Sequence, residues 1–191
     1  MKELLSIVAG VIVASAFIPY AIDIARGKVK PARSARIMFA VLMIIALFQQ
    51  RELGAWWLLA VTVGDGIGAI AILVLSLKKG VGGLKRLDMI CYGLLVIDVF
   101  VWLTTQNVLL ALHLTVLADL IAFTPTLVKT WKHPQSETAL FFILGAVGPL
   151  LNIIAVGEYG YAVLLFLFYL ALANGIEVLL IYRRSGKQLL L

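Results

Sequence analysis

Ionisable side chains stand inside several long apolar stretches of this 191-residue chain. Three of them fall near the middle of their stretches, and they are Asp65, Asp98 and Asp119. A charged side chain at the centre of a bilayer costs about 2.5–3.5 kcal/mol on an insertion scale, so such residues usually mark a substrate pathway or a proton relay. The alternative is a structural carboxyl that Ser, Thr or Tyr hydroxyls satisfy and that holds helices together.

Further ionisable residues lie nearer the ends of their stretches. Glu177 and Asp23 lie toward one end, and His113 lies toward the other. We expect proton coupling, if the protein uses it, to involve Asp119, Asp65 or Glu177, because a carboxyl within a membrane helix can bind and release a proton.

Asp65 and Asn174 share a local sequence context. The segment Asp65-Gly66-Ile67 resembles Asn174-Gly175-Ile176, and Glu177 follows Asn174 by three residues on the same helix face. We expect Asp65 and Asn174 to line one central cavity and to bind a substrate there. The structural alternative is that Gly64 and Gly68 only allow tight helix packing beside a buried Asn hydrogen bond, which would produce the same sequence pattern.

A second polar pair is Gln49 and Asn152, which correspond to each other at an offset of 103 residues and lie nearer the other end of their stretches. We include both as candidate substrate-binding residues. Trp56 and Trp57 are more typical of aromatic anchors at a membrane interface than of a sugar platform.

Enzyme motifs do not occur in the sequence. There is no HExxH, no serine nucleophile elbow, no Walker A motif and no metal-ligand spacing, so we expect no enzyme activity, no cofactor and no bound metal. A retinal pigment would need a lysine in mid-span, and every lysine lies in a loop or at a helix end. Cys91 is the single cysteine, which excludes an intrachain disulfide.

The elements that must position these residues are membrane helices. The chain is 63% hydrophobic and 14% charged, whereas soluble domains average about 45–50% and about 25%. Because an open sheet cannot satisfy its backbone in lipid, the fold class is all-α integral membrane. Seven apolar stretches predict seven transmembrane helices, and the second and sixth stretches need flanking residues to complete the span. The stretches cover residues 4–25, 37–49, 54–77, 87–104, 107–128, 139–156 and 160–182.

The positive charges predict how the chain crosses the membrane. Fourteen of the sixteen Lys and Arg residues fall in the connections after helices one, three, five and seven, whereas Lys2 and Arg51 fall on the other side. This asymmetry predicts an outside N-terminus and a cytoplasmic C-terminus in a cell membrane. The net charge of +6 is therefore interpreted as a topology signal, with the lipid bilayer as partner and no nucleic acid.

An internal repeat organises the helices. Residues 16–19 recur as residues 122–125 at an offset of 106, and residues 31–35 align with residues 134–138 at an offset of 103. The sequence thus predicts two parallel three-helix repeats, residues 1–80 and 106–184, joined by a linker helix over 84–105 and followed by a cytoplasmic tail over 185–191. Parallel repeats of this kind are one of the standard transporter arrangements, with the substrate site between the repeats.

Each repeat carries a proline near the end of its first helix, Pro19 and Pro125. A proline inside a helix removes a backbone hydrogen bond and kinks the chain. The pair is interpreted either as two hinges or as two helix ends, and the repeat itself favours neither.

This 3+1+3 layout, with a proline followed by a basic loop and a Ser-containing start of the next helix, resembles the PQ-loop and SWEET superfamily. Residues 125–138 carry the better match and residues 19–34 a looser one; Tyr20 and Thr126 stand where the family has glutamine. Ala46 opposite Pro149 is a further departure. The resemblance implies a central pocket with a polar residue from the third helix of each repeat, a role that Asp65 and Asn174 match.

In that family the linker helix lies outside the two bundles, which makes Asp98 the weakest functional candidate. The resemblance implies a secondary transporter or facilitator of a small polar solute, such as a sugar, an amino acid or a related metabolite, working by alternating access with or without proton coupling. The alternative is a membrane receptor of the same fold that binds without transporting. The sequence leaves a homo-oligomer open.

Overall fold

The computed structural model describes residues 2–31, 33–54, 56, 59–80, 86–156 and 160–183, so the predicted tail over 185–191 lies outside the described residues. The described residues form seven α-helices and one short 3-10 helix at Pro134–Ser136. The α-helices are α1 (Lys2–Ala25), α2 (Arg33–Glu52), α3 (Leu59–Lys79), α4 (Arg86–Thr105), α5 (Val108–Lys132), α6 (Ala139–Val156) and α7 (Tyr161–Arg183).

Five of these helices, α1, α2, α3, α5 and α7, are long and apolar enough to cross a bilayer. The other two contain shorter apolar segments, Met89–Thr105 in α4 and Ala139–Ala155 in α6; the 18 residues of α6 span about 27 Å at 1.5 Å per residue. Large apolar side chains such as Val96 and Ile154 are 70% exposed, which is the surface that lipid covers. The chain is therefore a multi-pass helical membrane protein.

The helix bounds differ from the apolar stretches mainly where basic residues flank them. α2 begins at Arg33 and ends at Glu52, so residues flanking the apolar stretch over 37–49 complete the second span, as expected. α5 runs on to Lys132. Lys and Arg stems lie along apolar surface while their charged ends reach water, so a helix can extend past its last apolar residue.

Neither repeated proline ends its helix. α1 continues for six residues after Pro19, and α5 continues for seven after Pro125. Just before Pro125, the hydroxyl of Thr124 donates to the carbonyl of Leu120 at 2.9 Å. The interpretation as helix ends was therefore wrong, and movement at these prolines stays a prediction.

The packing of the helices follows from their contacts. α3 packs against α1 and α2, and α7 packs against α5 and α6. In addition, α1 packs against α6, and α2 packs against α5 along a contact that we call the α2–α5 seam. α4 packs against both α5 and α2, so it lies along this seam.

Glycines bring α1 and α3 into backbone contact. A Cβ added at Gly64 would collide with the carbonyl of Gly10, and one added at Gly68 would overlap the ring of Phe17. The predicted close approach through Gly64 and Gly68 is thus confirmed. It holds the face of α3 that carries Asp65 at a fixed distance from α1.

The C-terminal ends of α1 and α3 and the start of α6 lie at one end of the helices. Lys79 at the end of α3 donates to the carbonyl of Ala25 at the end of α1, 2.7 Å away. Thr138, just before α6, donates to Asp23 near the end of α1 at 2.8 Å. We call this end, which carries most of the Lys and Arg residues, the basic end.

Candidate solute site between the helices

A cavity lies among the membrane-crossing helices. Its volume is about 80 Å³, which is room for several water molecules at roughly 10–15 Å³ each. Six of the seven helices contribute to its wall. The polar lining residues are Arg36 on α2, Asp65 on α3, Asp119 and Thr126 on α5 and Asn174 on α7, and the aromatic ones are Phe17, Phe39, Phe123, Phe141 and Phe142.

Asp119 is an acid of this cavity with a hydrogen-bond partner on another helix. The residue is 93% buried, and its Oδ2 accepts a hydrogen bond of 2.5 Å from the hydroxyl of Tyr169 on α7. Within the described residues its Oδ1 has no hydrogen-bond partner. A buried carboxyl oxygen without a partner is costly, so this atom is a natural acceptor for a solute or a proton.

Asp65 and Asn174 line the same cavity from α3 and α7. The amide of Asn174 donates to the carbonyl of Leu170 at 2.8 Å, which holds the side chain in place. Facing it, Gly145 on α6 leaves the room that Asn174 needs, since a Cβ there would come within 2.8 Å of Asn174 Oδ1. The two sequence-predicted residues therefore meet at one space, and their role in binding stays a prediction.

Arg36 is a cavity residue that the sequence analysis assigned to a loop. Because α2 begins at Arg33, Arg36 lies in its first turn, where its guanidinium donates to the hydroxyl of Tyr20 at 2.7 Å. The guanidinium carbon also lies 5.1 Å from the centre of the Tyr20 ring and 5.6 Å from that of Phe39. The available signal was its position, directly before the apolar stretch that begins at residue 37.

Aromatic rings form one wall near Arg36. Phe141 on α6 stacks on Tyr20 with ring centres 4.8 Å apart and meets Phe17 edge to face at 5.0 Å. Such pairs add about 0.5–1.5 kcal/mol beyond their buried area. They join α1 to α6 beside the cavity.

The cavity combines two carboxyls, one guanidinium and one amide with an aromatic wall. A few convergent polar groups in an otherwise apolar pocket are typical of a small-molecule site. The carboxyls accept hydrogen bonds, the guanidinium donates them and the amide does both. The lining can offer several directed hydrogen bonds to a small polar solute. Ligand pockets usually measure about 300–1,000 Å³, so the helices would have to move apart to admit a solute of the size of a monosaccharide.

The second predicted polar pair lies elsewhere. Gln49 is buried on α2 and bonds to Asp98 and Thr115, and Asn152 is buried on α6. Neither residue lines the cavity. Any contact of theirs with a solute would need a different state of the helices.

Glu177 lies one turn from Asn174 toward the basic end and does not line the cavity. It is fully buried and accepts a hydrogen bond from the hydroxyl of Thr130 on α5. Next to Thr130, Lys129 pairs with Glu137 at 2.5 Å. Glu177 thus belongs to a polar contact that closes α5 against α7 at the basic end.

His113 lies at the opposite end, where its Nε2 bonds to the hydroxyl of Tyr161 at 2.8 Å. In the part of the chain that the structure describes, no three His, Cys, Asp or Glu side chains are grouped in a way that could hold a metal ion.

Comparisons with protein-family models, with curated proteins and with solved structures found no match to this chain.

Proposed function

We propose that this protein is a secondary transporter or facilitator of a small polar solute. The observation that carries the proposal is the cavity, where Asp65, Asp119 and Asn174 converge from α3, α5 and α7 within the apolar part of the protein. Ionisable side chains at such depth are costly and are usually found on transport pathways. A solute hydrogen-bonded to them would be held midway across the membrane.

We propose further that the helices form two parallel repeats, α1–α3 and α5–α7, joined by α4 as in PQ-loop and SWEET proteins. The packing supports this. If α1, α2 and α3 are taken as equivalent to α5, α6 and α7, each contact has an equivalent. The α1–α3 contact corresponds to α5–α7, the α2–α3 contact to α6–α7, and the α1–α6 contact to α2–α5. A two-fold relation between the repeats accounts for this exchange, and the cavity then lies between them.

Alternating access would open the cavity at one end at a time. At the basic end, Thr138 just before α6 donates to Asp23 on α1 and so ties the two proposed repeats together. At the opposite end, Gln49 ties α2 to α5 through Thr115. Breaking one of these contacts while keeping the other would expose the cavity on a single side. We assign the basic end to the cytoplasm on the basis of its charges.

The experiment is a binding and counterflow assay on the protein in proteoliposomes, with a panel of radiolabelled monosaccharides and amino acids as probes. Asp65→Ala and Asn174→Ala should each weaken binding of the transported probe by roughly 5–150-fold, as expected for about 1–3 kcal/mol of lost buried hydrogen bonding.

Gly175→Ala is the matched control, because a Cβ there meets no atom within 4 Å and Gly175 does not line the cavity. It should bind the probe like wild type. Probe binding without counterflow would favour the receptor alternative. Full activity in both cavity variants would contradict the site assignment.

A further inference from the structure

Three side chains form a closed ring of contacts outside the cavity. Gln49 Nε2 lies 3.0 Å from Asp98 Oδ1, Thr115 Oγ1 lies 2.5 Å from Asp98 Oδ2, and Thr115 Oγ1 lies 2.9 Å from Gln49 Oε1. All three residues are fully buried. They come from α2, α4 and α5, so the ring ties the linker helix across the seam between α2 and α5.

Each of the three contacts is within hydrogen-bond distance and needs one hydrogen. The Gln49 amide supplies one for the contact with Asp98, and the Thr115 hydroxyl has a single hydrogen for its two contacts. An ionised Asp98 supplies none, which would leave two oxygens facing each other at 2.5 or 2.9 Å without a hydrogen. Exchanging the oxygen and nitrogen of the Gln49 amide does not supply the missing hydrogen. The amide oxygen would then face Asp98 Oδ1, and that contact would lack a hydrogen instead.

A protonated Asp98 completes the ring. Its hydroxyl donates to Thr115, Thr115 donates to Gln49, and Gln49 donates back to the carbonyl oxygen of Asp98. Each of the three contacts in the ring is then a hydrogen bond. Buried polar groups in folded proteins normally have such partners. We infer that Asp98 binds a proton in this state and that this proton locks α4 onto the α2–α5 seam.

The charged and titratable groups of the packed helices have other partners. Glu52 on α2 accepts from the indole of Trp102 at 2.8 Å, and Arg36 bonds to Tyr20 at the basic end. On α5, His113 bonds to Tyr161 and Asp119 to Tyr169. The remaining charged residues on these helices are Arg33 and Arg51 on α2, Arg86 and Asp88 on α4, and Lys129 and Lys132 on α5, which lie in the first or last turns. Gln49 and Thr115 are accordingly the groups that decide the protonation of Asp98.

The lock has a consequence that rests on the proposed function. If α2 and α5 separate to open the end opposite the basic end, α4 stays with α5 and Asp98 loses Gln49. Water then reaches Asp98, which can release its proton, and the Thr115 hydroxyl is free to donate to the ionised carboxylate. Closing would take a proton up again. Asp98 would then couple opening at that end to pH, and Asp119 would remain free to serve the solute.

Infrared spectroscopy on the protein in detergent tests the proton directly. At neutral pH the wild-type spectrum should contain a carbonyl band of a protonated carboxylic acid that is missing in Asp98→Asn. That variant keeps the ring, because the new amide nitrogen can donate to Thr115 while the amide oxygen accepts from Gln49. Thr115→Val should shift the same band, since the acid proton loses its acceptor.

The stability of the two proteins gives an independent measurement. The folded wild type holds a proton that the unfolded chain gives up at neutral pH, so its stability falls as pH rises. Between pH 6 and 8, the ratio of the wild-type unfolding equilibrium constant to that of Asp98→Asn should therefore rise by up to about tenfold per pH unit.

Identical acid bands in wild type, Asp98→Asn and Thr115→Val, or parallel pH profiles of unfolding, would overturn the inference. Neither measurement involves a solute, so a failure to detect transport would leave both results standing. A pH dependence of counterflow that Asp98→Asn abolishes would support the coupling role, and one that it leaves unchanged would refute that role alone.

Discussion

Adding one methyl group at Gly64 tests the contact that places Asp65. In Gly64→Ala the new Cβ would collide with the carbonyl oxygen of Gly10, far inside the about 3.3–3.6 Å that is usual for C···O contacts between helices, and it would lie 3.1 Å from the carbonyl carbon. Both obstacles are backbone atoms, so α1 and α3 must move apart. Overpacking of this kind costs about 1–3 kcal/mol.

Alanine also favours a helix over glycine by about 1 kcal/mol, which offsets part of that cost. Gly93→Ala on α4 isolates the steric term, because Gly93 is exposed and an added Cβ meets no atom within 4 Å. We therefore expect Gly64→Ala to be less stable than Gly93→Ala by about 1–3 kcal/mol.

Equilibrium unfolding in mixed detergent micelles, followed by circular dichroism, measures this difference. Gly64→Ala should also bind the transported solute more weakly, because Asp65 moves with α3. Equal stability of the two alanine variants would refute the described contact between α1 and α3, and with it the placement of Asp65.

Three further predictions concern the acids and the topology. Asp119→Asn should abolish solute accumulation driven by a pH gradient and keep counterflow, since the neutral amide mimics the protonated acid; equal loss of both in proteoliposomes would mark Asp119 as structural or as a solute ligand. Glu177→Gln should slow solute release at the basic end more than it weakens binding, because Glu177 lies outside the cavity and accepts from Thr130; stopped-flow efflux against equilibrium binding separates the two effects, and a larger loss of binding would contradict the assignment. Cysteines introduced singly at positions 51 and 106 should react with an impermeant maleimide from outside intact cells. Labelling only after permeabilisation would reverse the predicted orientation. Position 158, which we also expect to be external, lies outside the described residues.

The membrane class and the helices were predictable from local sequence. In lipid, each spanning segment must satisfy its own backbone and be about 20 apolar residues long, so hydropathy along the chain is enough to locate it. The helix ends were less predictable. α2 extends at both ends to residues such as Arg33 and Glu52, which lie outside the apolar stretch over 37–49.

The polar residues were predictable as a set, because any ionisable side chain within an apolar stretch is conspicuous. Asp65, Asp119 and Asn174 were all candidates before the structure, and the cavity brings the three together. Gln49 was also a candidate, yet its partners are Asp98 and Thr115 rather than the cavity. The sequence alone determined which side chains need partners in the membrane.

Only the tertiary structure decided which partners they have. Contacts such as Arg36 with Tyr20, or Tyr169 with Asp119, join residues 16 and 50 positions apart on different helices. Whether two such side chains meet depends on which helices are neighbours and on how each is rotated about its axis. That rotation is set by packing, as where Gly64 lets α3 approach Gly10 on α1, and packing is a property of two surfaces together that neither helix carries alone.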